Sequence, residues 1–82
     1  MIKKTIYLKT VERVKDFVNA VNQIECTTDL YSNDNHYIVD AKSIMGIFSI
    51  DICKPLTLVI QDDNLNNEKK YDEILGRFTK DV

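Results

Sequence analysis

Tryptophan is absent from this chain, and histidine, proline, glycine and cysteine are scarce: His36 and Pro55 stand alone, with two glycines and two cysteines. Each shortage excludes something. Cys26 and Cys53 are far apart and form no Cys-x-x-Cys, and with one histidine they give no zinc-ligand spacing. They read as two semi-buried small hydrophobes of a reducing compartment. No glycine-rich phosphate loop, metal cluster or nucleophile–base–orienter set can be assembled, so the expectation is a protein that is not an enzyme and uses no metal or cofactor. No apolar run is long enough to span a bilayer, and no apolar segment follows Lys3-Lys4 to act as a signal peptide, which points to the cytoplasm. An excess of positive charge is also missing. The net charge of −2 and pI near 5.2 argue against nucleic-acid or membrane-surface partners, which need a basic field.

What is present is enough for one domain covering residues 1–82, without repeats or linkers. A chain of this size buries only about 60 % of its unfolded surface, so its helices must share one apolar layer. Residues 3–9 alternate as a strand, with Ile6 and Leu8 on one face and Thr5, Tyr7 and Lys9 on the other. Thr10 is an N-cap for a helix through about Asn22, whose core stripe is Val11, Val14, Phe17 or Val18, and Val21. Glu12, Arg13, Lys15, Asp16 and Asn19 form its wet face. Residues 24–32 alternate as a second strand, Asn33-Asp34-Asn35 marks a hairpin turn, and residues 36–41 return antiparallel.

Ser43 then caps a short helix that ends near Asp51. It carries Ile44, Met45, Ile47, Phe48 and Ile50, too many apolar residues for one face. Ile47 and Ile50 are expected in the core, whereas Met45 and Phe48 are expected at the surface, as an exposed patch that marks a partner. Pro55 precedes the most apolar strand, residues 56–60. A last helix starts at Asn66 or Asn67, carries Tyr71, Ile74, Leu75 and Phe78, and contains Gly76. Its charged run, residues 68–73, is a solvated face. The order is β-α-β-β-α-β-α, an α+β fold with Tyr7, Thr27 and Tyr31 on the wet face of the sheet.

In this order, Lys42-Ser43-Ile44-Met45-Gly46 resembles the regulatory segment of HPr, the histidine-containing phosphocarrier of the bacterial sugar phosphotransferase system. Val39-Asp40-Ala41 leads into it, Ile47-Phe48-Ser49-Ile50 continues it, and Lys54, residues 56–60 and Asp62-Asp63 match the family's late strand and turn. The resemblance is clear over residues 39–63. It implies the HPr-like open-faced β-sandwich, a four-stranded antiparallel sheet covered on one face by three helices. It also implies that Ile44, Met45 and Phe48 are a partner-binding patch for phosphotransferase-system enzymes, a serine kinase or a transcriptional regulator. In Gram-positive members the serine matching Ser43 is phosphorylated by a dedicated kinase, and the product is a corepressor of carbon-catabolite genes. Capping alone also accounts for Ser43.

The resemblance fails at the phosphoryl-accepting site, a Gly-hydrophobic-His-Ala-Arg-Pro segment between the first strand and first helix. Residues 9–16 read Lys-Thr-Val-Glu-Arg-Val-Lys-Asp, so the acceptor histidine falls at Arg13 or Glu12. Neither carries phosphohistidine. Lys15 stands where the family's phosphate-binding arginine stands, but it is a point charge without the bidentate fork. His36 sits in the hairpin, remote from this segment, and reads as a surface histidine. The expectation is an HPr-like regulatory or binding module without the phosphohistidine, regulated at Ser43. The alternatives are a phosphocarrier that moves phosphate through His36 or another residue, and an interaction domain with no phosphorylation.

Overall fold

The computed structural model describes residues 1–81. Strand β1 (Ile2–Ile6) is followed by helix α1 (Val11–Val21), strands β2 (Thr28–Tyr31) and β3 (Ile38–Asp40), helix α2 (Ile44–Ile47), strand β4 (Leu56–Ile60) and helix α3 (Glu68–Leu75). Short 3-10 turns at Leu65–Asn67 and Gly76–Phe78 flank α3. The expected order is the observed one. The strands form one antiparallel sheet in the order β1-β4-β2-β3, and the helices cover one face of it.

Period-two alternation decides which side chains meet the helices. Ile2 and Ile6 from β1, Leu30 from β2 and Leu56, Leu58 and Ile60 from β4 are buried on the covered face. Val14, Phe17 and Val21 of α1, with Ile47, Tyr71, Leu75 and Phe78, close the layer. Phe17 and Phe78 meet edge to face, their centroids 5.5 Å apart. Lys4 also lies on the covered face, and its ammonium pairs with Asp72 of α3 at 2.6 Å.

Several boundaries differ from the sequence expectation. β1 stops at Ile6 because the Tyr7 N–H leaves the sheet and donates to Phe78 O at 2.8 Å. Residues 24–27 are loop rather than strand, and Ile24 is buried by packing rather than by strand pairing. Thus Tyr7 does not lie on the sheet's wet face, while Tyr31 does, and Thr27, just ahead of β2, is exposed with its carbonyl accepting from Gln61 N at 2.9 Å. β3 is confined to Ile38–Asp40, and α2 is a single turn that does not reach Asp51. Gly76 does not lie inside α3 but begins the 3-10 turn that follows it. Val11 is not part of the core stripe. It lies in the first turn of α1, one turn ahead of buried Val14, and is 52 % exposed. Cys26 is half-buried, but Cys53 is exposed rather than packed.

Candidate docking site

The turn before α2 is set by Asp40. Its carbonyl accepts from Ser43 N at 2.9 Å, and its carboxylate accepts from Lys42 N at 2.9 Å. Ser43 then caps the helix in extended backbone, its Oγ accepting from Gly46 N at 3.2 Å. This supplies a partner to a backbone donor that the helix itself leaves orphaned. Gly46 packs against β3 and the cap: a Cβ there would stand 3.3 Å from Ser43 Oγ and 3.4 Å from Val39 Cβ. A side chain at this position would crowd the Ser43 hydroxyl that caps the helix.

One helical turn divides its apolar residues. Ile47 and, just beyond, Ile50 are buried, Ile44 is half-buried, and Met45 and Phe48 are 78 % and 41 % exposed. Two adjacent large apolar side chains therefore face solvent from a turn whose opposite side is fixed in the core. Such a pair leaves apolar surface in water, and covering it with a partner releases that free energy.

The segment between β1 and α1 is held beside the α2–β4 loop, Lys9 N donating to Ile52 O at 2.9 Å. Lys9 has φ of 69°, and Thr10 N reaches back to Leu8 O at 2.9 Å, a γ-turn of the rare, strained type. Thr10 caps α1, its hydroxyl accepting from Arg13 N at 3.1 Å. Glu12 and Arg13, at which the acceptor position was expected, lie within the first turn of α1. Glu12 is exposed, while Arg13 is already engaged. Its Nη2 donates to Tyr7 O at 2.7 Å and to Arg77 O at 3.0 Å, and its Cζ lies 5.3 Å from the Phe78 ring centroid. Arg77, itself paired with Asp16 at 3.4 Å, lies 5.1 Å from the same centroid. Arg13 is a strut between α1, the end of β1 and the C-terminal turn, not a free cation. Lys15 is exposed on α1 and makes no ion pair among the described residues.

His36 lies in the β2–β3 turn, its side chain 78 % exposed and its Nδ1 3.3 Å from Asp34 Oδ2. The Ser32 hydroxyl and the His36 N–H both donate to Asp34, and these bonds hold its carboxyl below the usual range. The other titrating cluster joins β4 to α3. Asp62 accepts from Tyr71 OH, from Asn67 Nδ2 at 2.9 Å and from Asn64 N at 2.8 Å, which brings its pKa down to about 2. The same carboxylate pushes the Tyr71 phenol up. Cys26 Sγ approaches that phenol at 3.7 Å.

No protein-family model and no curated protein sequence matches the chain. Among solved structures it is similar to HPr-C-His from Thermoanaerobacter tengcongensis, with 23 % identity, full coverage of both chains and a TM-score of 0.68. The fold is therefore HPr-like. No helix among the described residues is long and apolar enough to cross a membrane.

Proposed function

We propose that this chain is an HPr-like regulatory or binding module, not an enzyme, that docks a protein partner through α2 and carries no phosphohistidine. The observation that supports it best is the exposure of Met45 and Phe48 on a turn whose other side is anchored by Ile47. Ile44 completes the patch from its half-buried position. Lys15 adds a point charge on α1 toward an acidic partner surface. Residues 7–13, which link β1 to α1 and open that helix, contain no histidine, and Arg13 is committed to Tyr7, Arg77 and Phe78. In this reading phosphoryl transfer is lost and docking is kept. The partners are the phosphotransferase system's enzymes, its serine kinase or a transcriptional regulator of carbon-catabolite genes, in a bacterial cytoplasm.

Ser43 is the regulatory residue of this reading. A phosphoryl group on its hydroxyl would add negative charge at the first turn of α2, beside Ile44 and Met45, and so alter what the patch accepts. The experiment is incubation with the serine kinase of a Gram-positive phosphotransferase system and ATP, followed by mass spectrometry of the intact chain. One phosphate, absent from a Ser43→Ala variant, is the expected result. A chain that stays unmodified under conditions that phosphorylate HPr removes Ser43 from the reading.

A further inference from the structure

The uncovered face of the sheet carries charge in a pattern that the helix side does not use. The register sets Lys3, Val59, Asp29 and Asp40 in one cross-strand row and Thr5, Thr57, Tyr31 and Ile38 in the next. The cation is at the β1 edge, and the two carboxylates are on β2 and β3. Asp29 and Asp40 are directly opposed, an arrangement of like charges that raises the energy of the sheet. Among the described residues, neither they nor Lys3 take part in an ion pair. Asp29 accepts from Gln61 Nε2 at 3.4 Å, and Asp40 from Lys42 N. A groove of about 370 Å³ crosses the same face, with Thr57 and Val59 between Met1 and Lys3 on one side and Tyr31 and Asn35 on the other. Beside it, Ile38 is 56 % exposed.

This pattern is its own complement. A two-fold axis parallel to the strands, between β4 and β2, lays β1 over the partner's β3 and β4 over the partner's β2. Facing sheets pack about 10 Å apart, a gap that a lysine stem and a carboxylate span. Each Lys3 then meets the partner's Asp40 and Asp29, and each Tyr31 stands over the partner's Thr57, in the groove. A two-fold axis perpendicular to the strands instead stacks β1 on the partner's β1, and like charges share an edge. We propose that this face is a contact surface between two copies of the chain, paired sheet to sheet about the axis parallel to the strands. Four strands about 4.8 Å apart make a face roughly 19 Å across, at the small end of specific interfaces, so the pairing is weak and salt-sensitive. It leaves α2 free and does not depend on the docking proposed above.

The test is sedimentation velocity at low salt, from roughly 10 µM to 1 mM, the span in which a small interface populates both states. The wild-type chain is expected to move from monomer toward dimer, and Lys3→Glu and Asp40→Lys variants are each expected to stay monomeric. Mixed in equal amounts, the two variants are expected to dimerise again, because both inter-subunit contacts then pair opposite charges. Circular dichroism confirms that each variant is folded. A wild-type monomer throughout the range, variants that dimerise like the wild type, or a mixture that stays monomeric would each overturn the proposal.

Discussion

Arg13 Nη2 donates to the carbonyl of Tyr7 at 2.7 Å, tying the first turn of α1 to the residue that follows β1. The same nitrogen reaches Arg77 O, so a single guanidinium fastens three parts of the chain. Hydrogen bonds from a charged donor contribute about 1.5–3 kcal/mol. An Arg13→Gln variant is expected to lose about that much stability in urea unfolding, and Arg13→Lys to recover only part of it, because lysine lacks the fork. A Glu12→Gln variant, altering an exposed side chain one position away, is expected to unfold like the wild type.

The apolar residues of α2 and the loop just beyond it divide into anchor and surface, and stability measurements separate them. Ile47→Ala removes a fully buried side chain and is expected to cost about 2–5 kcal/mol. Met45→Ser changes an exposed side chain and is expected to stay within about 0.5 kcal/mol of the wild type, whereas Phe48→Ser, at a residue only 41 % exposed, is expected to cost more than that and less than Ile47→Ala. Ser43→Ala removes the cap of α2 and is expected to cost roughly 0.5–2 kcal/mol.

Asp62 and Tyr71 contribute to both arms of the pH profile. The carboxyl ordinarily titrates at 3.8 and is held near 2 in the fold. Its stabilisation is therefore complete above pH 3.8 and is lost as the pH falls toward 2. The phenol is raised above its ordinary 10.0, so its contribution is complete below that pH and fades as the pH rises beyond it. Thermal melts of a Tyr71→Phe variant are expected to show a shallower loss at both ends, beyond any uniform drop in Tm. Unchanged slopes would remove the pair from the account.

Lys9 holds φ of 69°, where a side chain costs about 1–2 kcal/mol relative to glycine. A β-branched residue is worse placed there than lysine. Lys9→Val is expected to melt well below the wild type. Lys9→Gly is expected to melt near it, since relief of strain is offset by the greater freedom of the unfolded chain and by loss of the contact with Asp81.

The order of elements and most of the core were legible because period-two and helical spacing are local signals, and in β4, α1 and α2 they coincide with burial. Boundaries were less legible, since β1 ends where Tyr7 finds Phe78, a partner far away in sequence. Val11 keeps the helical spacing of the core stripe, yet its position in the first turn leaves it exposed. Arg13 keeps the spacing of the wet face, yet its guanidinium finds two carbonyls and a ring, two of them on residues that only the tertiary fold brings near. In the candidate site, the exposure of Met45 and Phe48 followed from simple crowding on a short helix. The engagement of Arg13 and the strain at Lys9 had no local signal, apart from the absence of a glycine between strand and helix.

In the function proposed above, α2 docks a partner while the chain accepts no phosphate on histidine. It is tested most directly by titrating isotopically labelled chain with the first enzyme of a phosphotransferase system and phosphoenolpyruvate, followed by heteronuclear NMR. Shift changes centred on Ile44, Met45 and Phe48 are expected, with the His36 ring unmodified. A phosphorylated His36, or shift changes that leave α2 untouched, would contradict it.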